Sequence, residues 1–182
     1  MMNIFHEVSR ECSRITTEKY STSFSSAIRL LHKGLQPHIH NIYGLVRFAD
    51  EIADTFHAYD KASLLHSFKQ QTYSAIHDKI RLNPILNSFQ LTVNQFNIDI
   101  RLVDAFFKSM ELDLNKRQYD TKAYEEYIYG SAEVVGLMCL CVFCDGDTDL
   151  YNQLKPYAMS LGAAFQKVNF LRDIKNDFEG LN

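Results

Sequence analysis

The sequence has no tryptophan, only three prolines and only seven glycines in 182 residues. So little turn-forming material argues against a turn-rich β-sandwich and favours long helices, so the predicted fold class is all-α. A strong charge of either sign is also missing, since the net charge is −3 and the pI is near 6.1. This balance argues against non-specific binding to nucleic acid. Residues 1–24 lack the apolar segment of a secretory signal peptide, so we expect a cytoplasmic protein.

Long hydrophobic runs are scarce as well. The longest, Val134–Cys144, is too short to span a bilayer and predicts a buried helix. It contains Cys139, Cys141 and Cys144, which we expect to be reduced core thiols of a cytosolic protein. Their C-x-C-x-x-C spacing leaves a metal site as the alternative, although no nearby histidine completes one.

Helical periodicity runs through the whole chain, with no internal repeat or linker, so we expect a single domain over residues 1–182. Three histidines, His32, His38 and His40, are expected at its surface. The predicted helices, separated by the few glycines, prolines and acidic turns, cover residues 3–19, 22–33, 38–58, 60–81, 85–97, 99–117, 121–144 and 150–179.

The third predicted helix carries a polar stripe beside its apolar one. Tyr43, Arg47, Asp50 and Asp54 follow each other at i, i+4, i+7 and i+11, so their side chains share a face. Asp50 and Asp54 are one turn apart, which places their carboxylates about 6 Å apart along the axis.

A second stripe, formed by Gln166, Asn169, Asp173 and Asp177, lies on the last predicted helix. Apolar residues occupy most of the remaining circumference, so the sequence predicts that this helix is buried. Like charges one turn apart repel each other, and their burial is costly unless a partner neutralises them.

Two such pairs therefore predict bound cations. Carboxylate oxygens suit Mg²⁺, with Mn²⁺ as a substitute, and Mg²⁺ takes substrate phosphates as further ligands. Arg47 and Arg172, beside the two pairs, are suited to bind phosphate oxygens. The pattern indicates a helical bundle that holds divalent metals and a diphosphate; the alternative is that each pair marks a solvated face.

Five segments together resemble the phytoene/squalene synthase family of isoprenoid synthases. In the family's order they are residues 20–24, 43–54, 110–114, 127–136 and 161–177. The resemblance implies an isoprenoid synthase-type helical bundle with a central cavity, of which this chain would be the N-terminal portion. Relatives continue beyond residues 178–182 with a basic and aromatic segment and further helices.

The resemblance also implies roles for single residues. Asp50, Asp54, Asp173 and Asp177 would hold Mg²⁺ against the substrate diphosphates, and Tyr127 would stabilise cationic intermediates. The positions expected on the substrate side are Ser21, Ser23, Phe24, Tyr43, Arg47, Gln166, Asn169 and Arg172. Structural alternatives stay open: helix capping for Ser21 and Ser23, and core packing for Phe24 and Tyr127.

The implied activity is the head-to-head condensation of two isoprenoid diphosphates by a Mg²⁺-dependent prenyltransferase. We favour phytoene formation from two geranylgeranyl diphosphates, in carotenoid biosynthesis, over squalene or dehydrosqualene formation from farnesyl diphosphate. NADPH would be needed only for the squalene-type reaction. We expect no nucleic-acid partner and no obligate protein partner, and peripheral membrane contact would suit release of a lipid product.

Two other classes remain open. One is a head-to-tail prenyltransferase or terpene cyclase, whose first motif is usually a denser Asp-Asp-x-x-Asp. The other is a non-catalytic assembly factor of the same fold, which we would expect to have lost the aspartates. The chain departs from the family at Glu133, where relatives usually have glycine. In a regular helix, the spacing of Tyr127, Gly130 and Val134 would direct Glu133 away from the metal cavity.

Overall fold

A computed structural model describes the backbone at residues 2–115 and 121–180, and the side chains at residues 2–114 and 123–171. Within those backbone ranges the protein has nine α-helices, one π-helical turn and no β-strand, which confirms the all-α prediction. The elements are α1 (Met2–Tyr20), α2 (Thr22–Ile28), α3 (Gln36–Asp54), α4 (Lys61–Asp78), α5 (Pro84–Phe96), α6 (Ile100–Asn115), α7 (Thr121–Ile128), the π turn (Tyr129–Glu133), α8 (Val134–Cys144) and α9 (Thr148–Gly180).

The predicted helix boundaries are mostly correct where the sequence carries a stop or start residue. Pro37 and Pro84 lie in the first turns of α3 and α5, where a backbone N–H has no helical partner to lose. The end of α8 is equally clear, because Asp145 and Gly146 adopt positive φ angles of 46° and 89°.

Two predicted helices extend four or more residues too far. α2 ends at Ile28 instead of residue 33, and the Gln36 side chain holds the turn that follows by donating to the Leu31 carbonyl at 2.9 Å. α3 ends at Asp54 instead of residue 58. Neither helix has a glycine or proline where it ends, so the sequence contains no signal that would have placed these two boundaries correctly.

The predicted continuous helix over residues 121–144 is interrupted by the π turn. Here α6 approaches closely, because a Cβ added to Gly130 would lie 2.5 Å from the Ala105 carbonyl oxygen and 2.6 Å from Ser109 Cβ. On the other side α9 also comes close, since a Cβ at Gly162 would lie 2.9 Å from the Ala132 carbonyl oxygen. Because glycine has no side chain, α6, the π turn and α9 can pack almost backbone to backbone.

The core is built around α3, which contacts α1, α4, α5, α6 and α8. Its apolar stripe is fully or almost fully buried, and it packs with aromatic residues of α6 and aliphatic residues of α8. The principal members of this core are Ile42, Leu45, Ala49, Ile52, Phe106, Phe107, Leu137 and Met138. Burial of this apolar stripe fixes the rotation of α3 about its own axis.

The histidine prediction is wrong for two of the three residues. His32 is exposed, but His38 and His40 are only 7% and 6% exposed, because α1 and α5 enclose the first turns of α3. His38 Nδ1 lies 3.1 Å from Thr92 Oγ1, so a polar partner from α5 accompanies its burial. Burial lowers the pKa of both histidines, which favours their neutral forms.

The buried helix predicted at Val134–Cys144 is confirmed as α8, and its cysteines are free thiols. In the described part of the chain, one helical stretch, Ala123–Cys144, is long and apolar enough to cross a membrane by length and composition alone. In its apolar window, 44% is buried inside the fold. Core helices pass the same test, so this stretch is weak support for a membrane span.

The prediction that the last helix is buried is wrong for its described side chains. One side of α9 packs on α8 and the π turn. The other side carries an exposed apolar face, formed by residues that are 59% to 71% exposed: Tyr157, Leu161, Phe165, Val168 and Leu171. The sequence correctly indicated apolar residues around most of this helix, but the described helices cover only part of that surface.

Candidate active site

The direction of the polar stripe of α3 is determined by the burial of the apolar stripe beside it. Because Leu45 and Ala49 are locked in the core at 0% exposure, the adjacent face is fixed in direction. Asp50 on this face is half-buried, while Asp54, one turn later, is exposed. The structure therefore brings the first aspartate pair to the end of α3, at the edge of the core.

Negative charge accumulates around this pair. Burial raises the pKa of Asp50 to about 7, and the charges of Asp54 and Asp113 act in the same direction, against the opposing effect of Arg47. The pKa of Asp54 is raised too: although the residue as a whole is exposed, its carboxyl group is partly removed from solvent, and the charge of Asp113 adds to the effect. Carboxyls whose pKa values are raised by burial and by neighbouring negative charge mark a site that favours an added cation.

Asp113, on α6, is a site residue that the sequence reasoning missed. It belongs to the segment 110–114, which was noticed only as part of a resemblance, yet its charge acts on both Asp50 and Asp54. The available signal was the acidic pair Glu111 and Asp113 directly after the buried Met110. Nothing in the sequence alone indicated that α6 would cross the end of α3.

The donor set at this point fits a hard divalent cation. Asp50, Asp54 and Asp113 offer oxygen ligands only, which suits Mg²⁺ or Mn²⁺. Within the described side chains, no three acidic, histidine or cysteine residues form a closed metal cluster. This is compatible with Mg²⁺, which usually takes one or two protein carboxylates and completes its shell with water and phosphate oxygens.

Arg47 is held on the same stripe by two neighbours. Its Nη2 donates to Glu51 Oε2 at 2.5 Å, and its Cζ lies 4.6 Å from the ring centroid of Tyr20, the last residue of α1. Its Nε is buried and has no hydrogen-bond partner. A guanidinium next to Asp50 with an unused buried donor is suited to an anion with several oxygens, such as a phosphate.

The segment after Tyr20 packs against α3. Ser21 caps α2 by accepting a hydrogen bond from the Phe24 backbone N–H at 3.1 Å, so the capping alternative is confirmed for this residue. Ser23 lies next to it, with the two Oγ atoms 3.5 Å apart. Phe24 is 46% exposed and stacks obliquely on Tyr43, with centroids 5.4 Å apart. Phe24 is therefore not a core residue, and it borders the polar stripe.

A second group of predicted residues gathers where α7 meets α9. Tyr127 is half-buried, and its ring centroid lies 6.0 Å from that of Phe170, which also contacts Tyr124 at 5.6 Å. Gln166 and Asn169 are half-buried on α9, within one turn of Phe170. The rings of Tyr124, Tyr127 and Phe170 form an aromatic cluster that could face a cation.

Glu133 contributes to a different surface. It lines a groove between the π turn and α9 together with residues Pro156, Met159, Ser160, Ala163, Ala164 and Lys167. Burial raises the pKa of Glu133, while the charge of Lys167 opposes this shift. The predicted angle of Glu133 assumed a regular α-helix, and this assumption was wrong because residues 129–133 are π-helical.

The second aspartate pair lies on α9. α9 extends to Gly180, so its backbone carries Asp173 and Asp177 at helical spacing. The side chains of Arg172, Asp173 and Asp177 lie outside the described residues. Their roles stay predictions.

Comparisons with known proteins agree on one family. The family model described as squalene/phytoene synthase matches residues 17–182. Among curated relatives, the chain is 24% identical to 4,4'-diapophytoene synthase of Staphylococcus haemolyticus (strain JCSC1435), over 97% of this chain and 61% of that protein. It is 27% identical to phytoene synthase of Arthrospira platensis, over 93% of this chain and 58% of that protein. The chain thus spans about 60% of the length of these relatives.

A solved structure shows the same fold. It is a dehydrosqualene synthase in complex with a ligand, which superposes with a TM-score of 0.84 at 23% identity. The match covers 97% of this chain and 60% of that protein. At this identity the likeness supports the architecture and not the choice of substrate.

Proposed function

The chain belongs to the squalene/phytoene synthase family, and we propose that it carries part of the active site of an enzyme that joins two isoprenoid diphosphates head to head. The observation that supports this role most directly is the acidic cluster of Asp50, Asp54 and Asp113 beside Arg47. The raised pKa values of Asp50 and Asp54 are expected of a site that binds a cation. A solvated face without function would not bury a carboxyl such as that of Asp50 among other negative charges.

Each described group has a part in binding the reactants. Asp50 and Asp54 would hold Mg²⁺, with Asp113 adding negative charge, and the bound ion would supply electrostatic stabilisation of the departing diphosphate. Arg47 binds phosphate oxygens on the same side. The aromatic cluster around Tyr127 would face the developing allylic cation, where its ring faces would lower the energy of positive charge.

The reaction proceeds in two stages. The C1–O bond of one substrate breaks, and the diphosphate leaves with the electron pair. The double bond of the second substrate then attacks the allylic cation, and loss of a proton gives a cyclopropylcarbinyl diphosphate. A second ionisation and rearrangement produce the C1–C1′ linkage. The protein orients the chains and excludes water, which would otherwise quench both cations.

The proposed product is phytoene, made from two C20 diphosphates in carotenoid biosynthesis. Relatives named phytoene synthase support it. This product needs only loss of a proton, so no NADPH is required. The second candidate is dehydrosqualene from two C15 diphosphates, which is favoured by the relative named 4,4'-diapophytoene synthase. Peripheral contact with a membrane, for release of either lipid, stays a prediction.

The test is incubation of the purified full-length protein with labelled C15 and C20 diphosphates and Mg²⁺, followed by chromatographic identification of the lipid products. We expect a C40 product, and a C30 hydrocarbon as the dominant species with C20 substrate available would overturn the choice. Excess chelator should abolish turnover.

A matched pair of variants separates the site from general effects on the fold. Asp50→Asn should lower kcat by orders of magnitude while helicity is retained, because a metal ligand loses its charge. Asp78→Asn makes the same chemical change at an exposed position on α4 and should leave kcat unchanged. Full activity in Asp50→Asn would refute the assignment of this site.

A further inference from the structure

The arrangement around Arg47 contains a choice between two carboxylates on its own helix. Asp50 lies three residues after Arg47 and Glu51 four residues after it, and both spacings allow an ion pair on a helix. Among the described ion pairs, Arg47 is joined to Glu51. The Asp50 carboxyl is more buried than that of Glu51, and its negative charge favours the protonated form of Arg47. The Arg47 guanidinium nevertheless points to Glu51.

Tyr20 explains this choice. Its ring lies under the guanidinium at 4.6 Å, and its hydroxyl acts on the Glu51 carboxylate as well. Hydrogen bonding by Arg47 lowers the pKa of Glu51, and the Thr55 and Tyr20 hydroxyls contribute in the same direction. One aromatic residue at the end of α1 thus contacts both partners of an ion pair on α3.

We propose that Tyr20 and Glu51 are positioning residues that hold Arg47 away from Asp50, leaving Asp50 for a divalent cation and the remaining guanidinium donors for a diphosphate. This inference rests on the proposed function. Tyr20 and Glu51 together form a clamp on Arg47. Tyr20 contacts the face of the guanidinium, and Glu51 accepts a hydrogen bond from its Nη2. The unpartnered, buried Nε shows that the clamp does not use all the donors of the guanidinium.

Without the clamp, a flexible arginine next to Asp50 would pair with it. Arg47 would then neutralise a metal ligand, and it would have to leave that pair before it could bind phosphate. Both effects weaken binding of a metal–diphosphate complex. Arg47 would also lose its preorganisation, so that its long side chain would have to be ordered when the ligand binds.

The experiment measures binding of inorganic pyrophosphate in the presence of Mg²⁺ by isothermal titration calorimetry. Tyr20→Leu should weaken binding about fivefold, the size of a cation–π contact in a partly buried site. Tyr20→Phe keeps the ring and should stay within about twofold of the unmodified protein. Glu51→Ala should weaken binding because Arg47 is released towards Asp50. Circular dichroism confirms that each variant is folded.

Repeating Tyr20→Leu in an Arg47→Ala background separates positioning from a general effect on the fold. If Tyr20 acts through Arg47, the second substitution has no further effect on pyrophosphate affinity. An equal loss in both backgrounds, or tighter binding in Glu51→Ala, overturns the positioning role. Weak binding in Arg47→Ala together with normal binding in Tyr20→Leu overturns the positioning role alone. Unchanged binding in Arg47→Ala overturns both this inference and the diphosphate assignment of Arg47.

Discussion

Replacement of Gly130 by alanine should destabilise the protein although it improves helix propensity. In an open helix, Gly→Ala gains about 1 kcal/mol. At this position the new methyl group would lie 2.5 Å from the Ala105 carbonyl oxygen and 2.6 Å from Ser109 Cβ. Ordinary van der Waals contact begins near 3.4 Å, so α6 and the π turn would have to separate by almost 1 Å.

The magnitude follows from these opposing effects. Overpacking of a rigid interface costs about 1–3 kcal/mol, and contact with a backbone oxygen, which no rotamer change relieves, falls at the upper end. After subtraction of the propensity gain, the expected loss is about 2 kcal/mol. With a urea m-value of about 2 kcal/mol/M, the unfolding midpoint should fall by about 1 M.

Urea unfolding followed by circular dichroism measures this shift, with Gly34→Ala as the control. A methyl group at Gly34 would meet only side-chain atoms of His32, at 3.3 and 3.5 Å, and these can move. The control should therefore change stability by less than about 0.5 kcal/mol. An unchanged or raised midpoint in Gly130→Ala would show that the approach of α6 to the π turn is looser than described, and the reasoning would be refuted.

Three other predictions concern charge and the exposed face of α9. Since the folded-state pKa of Asp50 is raised above 3.8 to about 7, ionisation costs stability, so metal-free protein should lose stability as pH rises from 4 to 7. Asp50→Asn should flatten that profile of urea midpoints, and an unaltered slope would contradict the burial of this carboxyl. Glu133→Gly should change kcat less than about twofold, because Glu133 lines the groove with Lys167, and a larger change would show that it reaches the reactants. Leu161→Gln combined with Phe165→Gln should reduce self-association in size-exclusion chromatography, because both residues are 59% exposed; unchanged elution would argue against an adhesive face.

The fold and the first half of the site were predictable because both depend on periodicity along one helix. The stripe of Tyr43, Arg47, Asp50 and Asp54 needs only the α-helical repeat to be recognised. Asp113 was missed because its closeness to Asp50 depends on how α6 crosses α3, which no local pattern encodes. The contact of Tyr20 with Arg47 was not predicted for the same reason, since it joins the end of α1 to the middle of α3.

Other differences arise from partners supplied by the tertiary structure. His38 is buried because α5 offers Thr92 as a polar partner, and the sequence around His38 gives no sign of it. The π turn has no composition signature that distinguishes residues 129–133 from an α-helix. The opposite error occurred at α9, where an apolar circumference predicted burial that the described helices do not provide.

The π turn also sets the rotational phase between the two helices that it joins. In an uninterrupted α-helix Tyr127, Val134 and Met138 would fall at i, i+7 and i+11, in a single row. Val134 and Met138 are completely buried, so Tyr127 would point along the same row into the core. The wider turn takes up one extra residue, which corresponds to about 100° of rotation. A deletion of one residue between 129 and 133 should therefore restore a regular α-helix and keep Tyr127 in its present direction relative to Val134, with its contact to Phe170 retained.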